Sequence, residues 1–243
     1  MSPAAPARAF DGTCAVVTGV GRAGQVGEIV AREFAMRGAS VSIVDRDGAS
    51  AETLATSMRA DGLVVTAYAC DLTDAAATAA VFTKIAEANG GKIRALANVA
   101  GGFAMSGPVG ESDPAIFQRQ LSINLGSAYG ATRACIPFMR AEGGGIVFMA
   151  AAAILPGGKL ANMSGYAASK AGVTALMRAV AQEERANGIR SNALAPTAIR
   201  TGANLDAMGD KFKYVERESV AAVIAFLCSG EAVNITGQVL ELA

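Results

Sequence analysis

Tyr166 and Lys170 stand four residues apart in SGYAASKAG (164–172), with only Ala167, Ala168 and Ser169 between them. On a helix, positions i and i+4 share a face, so this spacing sets a phenol beside an ammonium with nothing bulky in the way. A phenol titrates near about pH 10, and a close cation stabilises the phenolate and lowers that value. The same residues would also fit a rim aromatic and a solvated helix charge. Histidine is absent from the chain, which removes imidazole bases, His-containing triads and HExxH zinc sites. Cys14, Cys70, Cys135 and Cys228 are scattered without CxxC spacing in apolar or Ala-rich settings, so they read as buried small hydrophobes, with neither a metal site nor a disulfide framework. Proton chemistry therefore falls to tyrosine, lysine or a carboxylate.

A second constellation is TGVGRAGQVG (18–27), in which Gly19, Gly21 and Gly24 satisfy GxGxxG after an apolar run and before a helix-like one. Glycines let the backbone turn tightly and approach a pyrophosphate, and the helix N-terminus offers that anion unpaired N–H groups. Asp45 ends the next apolar run, where a carboxylate accepts from ribose hydroxyls and repels a 2′-phosphate. It favours NAD over NADP. Arg46 and Arg22 count against this where they hold a 2′-phosphate, and not where they are surface charges. In CDLTD (70–74), Asp71 and Leu72 are placed to meet an adenine edge, or Asp71 is a loop residue beside Thr73. In NVAGG (98–102), Ala100 and Gly101 leave room for a ligand and Asn98 can bridge backbone groups across a sheet.

The elements that must position these residues alternate along the chain. Candidate strands are 13–18, 40–45, 63–69, 93–99, 145–150, 189–195 and 238–242, separated by helix-like segments at 24–37, 48–60, 74–89, 112–141, 164–187 and 217–229. Apolar strands separated by helices predict an α/β fold: one Rossmann-like, doubly wound parallel sheet of seven strands with helices on both faces. The domain is expected over 11–243 behind a frayed tail at 1–10. Of 243 residues 52% are hydrophobic, and 21 basic side chains balance 21 acidic ones, which speaks against nucleic-acid or membrane-surface partners. The longest apolar run, IVFMAAAAIL (146–155), is too short to span a bilayer, and the first ten residues lack an apolar leader core, so a cytoplasmic location is expected.

Taken in order, the motifs TG…G, NVAG, Asn124 in SINL, YAASK and NALAPTAIRT (192–201) make the chain resemble the short-chain dehydrogenase/reductase family over nearly its full length. The resemblance implies Tyr166 as acid/base, Lys170 holding the nicotinamide ribose, and Asn124 ordering a water that relays protons. It also implies carboxamide contacts from the loop of Pro196, Ile199 and Thr201, and a lid at 202–213 in which Leu205, Met208 and Phe212 close over an apolar substrate or cap the core. The chain departs from the family at two places. Its glycine turn is longer than TGxxxGxG, leaving Gly24 or Gln25 near the pyrophosphate and Gly27 in the helix-packing role. Where the family has a serine at the end of the fifth strand, this chain reads Ala150 to Ala153, with Ser164, Asn162 or a water as replacements and Ser164 equally fitted to cap its helix.

The function expected is an NAD(H)-dependent oxidoreductase interconverting a secondary alcohol and a ketone on a small, apolar substrate. Two alternatives stand beside it: a weakly active dinucleotide-binding sensor or structural subunit, and an NADPH-dependent reductase of a ketone or carrier-bound ketoacyl group. Apolar stretches at 115–139 and 166–182, with the resemblance, imply a homodimer or homotetramer.

Overall fold

The structure, a computed structural model, describes residues 9–243. Seven strands form one parallel sheet in the order β3-β2-β1-β4-β5-β6-β7. They are β1 (Cys14–Thr18), β2 (Ser40–Asp45), β3 (Val65–Ala69), β4 (Ala95–Asn98), β5 (Gly144–Met149), β6 (Ile189–Pro196) and β7 (Val239–Leu242). Every residue of β1 is buried, as a strand covered on both faces requires. Its side chains alternate between two cores: Ala15 and Val17 pack with α1 (Val26–Met36), α2 (Gly48–Ala60) and α8 (Arg217–Cys228). Cys14 and Val16 pack with α3 (Ala75–Ala88), α5 (Ser127–Met139) and α6 (Ser164–Glu183) on the other face. The Rossmann-like doubly wound sheet expected from the alternation is the observed fold.

β1 pairs with both β2 and β4, so the strand order reverses there, and the loops leaving the carboxyl ends of β1 and β4 border a crevice. These loops touch. A Cβ on Gly19 (φ 77°) would lie 2.6 Å from the Ala100 Cα, and one on Gly27 would lie 2.3 Å from the Gly19 carbonyl oxygen, the packing role expected of Gly27.

Three expectations change. The single helix expected at 112–141 is α4 (Pro114–Gln120), a π turn over Leu121–Gly126, and α5. The Asp113 carboxylate starts α4 by accepting from the Ala115 N–H at 2.8 Å. The π turn has a local cause: Asn124 Nδ2 donates to the Gln120 carbonyl at 3.1 Å, so a side chain competes for the acceptor that an α-helix gives to its own backbone. Second, the segment expected as a lid, outside the expected helical segments, contains α7 (Gly202–Met208), capped by Thr201, whose Oγ1 accepts from the Asn204 N–H at 3.3 Å. Third, of the tail expected at 1–10, residues 1–8 lie outside the described residues, and Phe10 is packed edge-on against Phe34 with ring centroids 5.1 Å apart.

The helix carrying Tyr166 runs beside the one that comes after Asn124. Arg140, just past α5, donates to the buried Glu184 carboxylate at 2.7 and 3.0 Å and holds that carboxyl below the usual range. All four cysteines are buried and free, and burial pushes Cys14 and Cys228 up to about 12, far from thiolate reactivity. Among the described residues no cluster of three or more His, Cys, Asp or Glu could hold a metal ion, and no helix is long and apolar enough to cross a membrane.

Candidate active site

Lys170 is only 7% exposed, and its Nζ donates to the Met149 carbonyl at the end of β5 at 2.7 Å. It faces inward. A Cβ on Gly101 would lie 2.4 Å from Asn124 Oδ1 and 3.7 Å from Lys170 Nζ, so the β4 loop, the π turn and α6 converge on one point. Asn124 is spent on holding that loop: its Oδ1 accepts from the Gly102 N–H and its Nδ2 donates to the Gly102 carbonyl, both at 3.0 Å. The same Nδ2 reaches Gln120 Oε1 at 3.3 Å, which gives the buried Gln120 a place in the site that the sequence pattern does not reveal.

Lys170 Nζ sits 5.8 Å from the centroid of the Tyr166 ring. Burial pulls the lysine down to about 8 and pushes the Tyr166 phenol up to about 12. The lowered phenol expected from the spacing is therefore not the state of this structure. The reason is that desolvation by burial favours both neutral forms. Phe103, equally unmarked in the sequence, meets Tyr166 edge-on at 5.0 Å and 85°.

The glycine turn, α1 and β2 form the other half of the crevice. Gln25 occupies the N-cap of α1 without a side-chain hydrogen bond, so that the helix N-terminus is not closed by its own cap. The Asp45 carboxylate lies against the turn, 2.6 Å from where a Cβ on Gly21 would stand, and accepts from the Asp47 N–H at 2.9 Å. Arg22 and Arg46 are exposed. A glycine-rich turn, an uncapped helix start and a carboxylate at the end of β2 fit the pyrophosphate and ribose of a dinucleotide.

Other candidates are placed differently. Asn98 does not bridge the sheet: its Nδ2 donates to Thr132 Oγ1 at 3.0 Å and its buried Oδ1 has no partner among the described residues. Side chains in a strand stand off the sheet plane, and that of Asn98 points at α5. Thr18 does the bridging. Its Oγ1 accepts from the Val99 and Ala100 N–H groups, both at 3.2 Å, tying the exits of β1 and β4. Asp71 takes its loop role, accepting from the Thr73 hydroxyl and N–H at 2.7 and 3.0 Å, and the Leu72 side chain is buried in the core. Pro196 ends β6. The Ile199 carbonyl is occupied by the Thr201 N–H and Asn204 Nδ2, both at 2.8 Å, leaving the Ile199 N–H and the capping Thr201 hydroxyl at the turn into α7.

No hydroxyl stands at the end of β5: Ala150 and Ala151 are buried there, and a 3₁₀ turn comes next at Ala152–Ile154. Ser164 is the first residue of α6, behind an N-cap at Met163 that makes no side-chain bond, so it is not the cap. It lies two positions from Tyr166, nearly opposite on a helix, and its Oγ is 3.4 Å from Ser106 Oγ. The Asn162 carbonyl accepts from the Ser106 N–H at 2.7 Å. These contacts join the loop after β4 to the one after β5. Phe103, which meets Tyr166, and Met105 and Leu160 on these loops are exposed, as are Met208 and Phe212, which therefore do not cap the core.

A family model described as enoyl-(acyl carrier protein) reductase matches residues 19–242. The chain is 31% identical to a 7alpha-hydroxysteroid dehydrogenase of Escherichia coli strain K12, over 96% of this chain and 94% of that one. It is 33% identical to a D-threitol dehydrogenase of Mycolicibacterium smegmatis, over 94% and 90%. The crystal structure of a short chain dehydrogenase from Mycobacterium smegmatis superposes with a TM-score of 0.84 at 32% identity, covering 96% of this chain and 92% of that one. With this fold and coverage, the chain belongs to the short-chain dehydrogenase/reductase family, as an oxidoreductase of the CH–OH/C=O pair that uses NAD(P).

Proposed function

We propose that this chain interconverts a secondary alcohol and a ketone with NAD(H), using Tyr166 as the proton donor and acceptor and Lys170 and Asn124 as its supports. The burial of Lys170 carries the reading. An ammonium 7% exposed, four residues from a tyrosine and against the ligand-accepting β4 loop, costs folding energy that a passive scaffold has no reason to spend. A bound nicotinamide would supply the hydride acceptor or donor. The residues fitted to hold the dinucleotide are the turn of Gly19, Gly21, Gly24 and Gln25 for the pyrophosphate and Asp45 for the ribose. Asp71, Leu72 and Ala100 border the adenine side through their loop backbones, with Gly101, Ile199 and Thr201 nearer the nicotinamide end. Asp45 against Gly21 supports NAD over NADP.

At neutral pH a phenol with its value near 12 is stored protonated, the form that gives a proton to a carbonyl oxygen. Taking a proton from an alcohol calls on the Lys170 ammonium to stabilise the phenolate. The alanines ending β5 withhold one hydroxyl donor from the substrate oxygen, a loss of about 10²–10³-fold in rate where such donors have been removed. For substrate, the exposed Phe103, Met105 and Leu160 support an apolar frame, as in the hydroxysteroid relative, over a sugar alcohol such as threitol. The half-exposed Tyr129 and neighbouring Leu121, Leu125 and Leu176 line an apolar groove on the helices around the π turn, a face suited to a second copy.

Tyr166→Phe is expected to lower kcat at least about 10²-fold in ketone reduction while NADH still binds; turnover within a few-fold of wild type removes Tyr166 from the chemistry. With NADH and NADPH compared at one ketone, the wild type should prefer NADH and Asp45→Ser should narrow the kcat/KM ratio by about tenfold or more. A wild-type preference for NADPH sinks the Asp45 assignment. Lys170→Met should be the more stable protein. The lysine titrates near 8 folded against 10.5 ordinarily, so below pH 8 folding pays about 3 kcal/mol for the charge, and this cost fades as pH rises toward 10.5. Less a lost bond to Met149, the variant gains about 1–2 kcal/mol in urea unfolding at pH 7, and the gain shrinks by pH 10. Equal stability at pH 7 contradicts the buried charge. Sedimentation should give at least a dimer of the 24.5 kDa chain, and Leu125→Glu should shift it toward monomer.

A further inference from the structure

The glycine turn is longer than its family's pattern, and the structure adds two charged side chains to it that no motif assigns. The Gly24 N–H donates to Glu28 Oε2 at 2.8 Å, and the Gly24 carbonyl accepts from Arg217 Nη1. One peptide group on each side of Gly24 is thus gripped by a side chain. We propose that Glu28 and Arg217 are positioning residues that clamp the extended turn at Gly24 and so set affinity for the pyrophosphate, an inference that rests on the dinucleotide reading of this site.

Glu28 is an unexpected residue for the first turn of a helix whose N-terminus faces a phosphate. A carboxylate there suits the helix dipole and opposes an incoming anion. Its surroundings explain why it can be kept. Its other oxygen, Oε1, accepts from Arg32 Nε at 2.9 Å, and Arg32 Nη1 goes on to Asp61 Oδ2 at 2.7 Å, so the carboxylate is fixed in orientation and partly neutralised. Its side chain is 12% exposed, which makes it an internal acceptor for the turn rather than a surface charge.

Arg217 comes from the far end of the chain. It is the first residue of α8, next to Glu216, which accepts from Arg200 Nε at 2.7 Å, and two residues past Val215, which bridges to Ile199. The hook on Gly24 therefore joins the pyrophosphate turn to the same loop system that flanks α7. Arg217 Nε is buried without a partner among the described residues, while the side chain as a whole is 27% exposed and its Nη2 lies 4.0 Å from Glu218 Oε1. A loop lengthened beyond the family's pattern has more conformations to lose on binding, and two charge-assisted bonds to one glycine restrict them beforehand.

The test is titration of the full chain with NADH followed by nicotinamide fluorescence, with ADP-ribose and adenosine as competitors. Arg217→Met and Glu28→Leu should each raise the NADH Kd about tenfold or more, while Arg217→Lys and Glu28→Gln, which keep a donor and an acceptor, stay within about threefold of wild type. ADP-ribose, which carries the pyrophosphate, should weaken by the same factor, and adenosine, which lacks it, should not. Thermal melting reports folding, and the Glu28 pair carries the test if the Arg217 variants do not fold. Wild-type NADH affinity in Glu28→Leu and in folded Arg217→Met overturns the clamp alone. Equal weakening by Glu28→Gln and Glu28→Leu also overturns it, because charge rather than the acceptor would then be at work. A wild-type chain that binds no NADH overturns the functional reading and this inference with it.

Discussion

Keeping one ammonium out of water is the constraint around which the crevice is arranged. Lys170 is buried where the end of β5 presents the Met149 carbonyl to it, and the β4 loop closes beside it at Gly101, where a side chain would collide with Asn124. That loop stays in place because the Asn124 amide holds both polar groups of Gly102, and Asn124 can do so because it has left the regular helical pattern. Remove any of these and a charge is left facing a space that cannot solvate it. The sheet beneath contributes stiffness: β1, β4 and β5 are adjacent, so the ends that carry Thr18, Asn98 and Met149 move as one body.

The two halves of the crevice are built by different physics. The half at the glycine turn is mostly backbone: a turn packed against Ala100, a helix start, and one carboxylate. The half at Tyr166 and Lys170 is built of side chains under desolvation, both driven toward their neutral forms. Thr18, with its hydroxyl shared between the exits of β1 and β4, is the seam between them.

Much of this is legible in the residues. Alternating apolar runs foretell the seven parallel strands, because burial on both faces leaves little freedom in composition. The spacing of Tyr166 and Lys170 foretells a shared helix face, since helical geometry is fixed. The features that escape are those decided by a single hydrogen bond. Nothing in SINL announces that the Asn124 amide will take the Gln120 carbonyl and open a π turn. Asn98 and Thr18 are both small polar residues at strand ends, and which one ties the strands depends on a side chain's side of the sheet. The direction of the Tyr166 shift escapes for another reason: a one-dimensional spacing reports proximity and says nothing of desolvation.

The π turn also fixes the phase of the helix beyond it. Each residue advances a helix by about 100°, so the additional residue held at Leu121–Gly126 resets the angle at which α5 leaves. In that phase Cys135 and Met139 are fully buried against the sheet. The side-chain bond that aims Asn124 at the β4 loop thus also decides which stripe of α5 meets the strands, so that the site's alignment and the packing of the core beneath it were settled together.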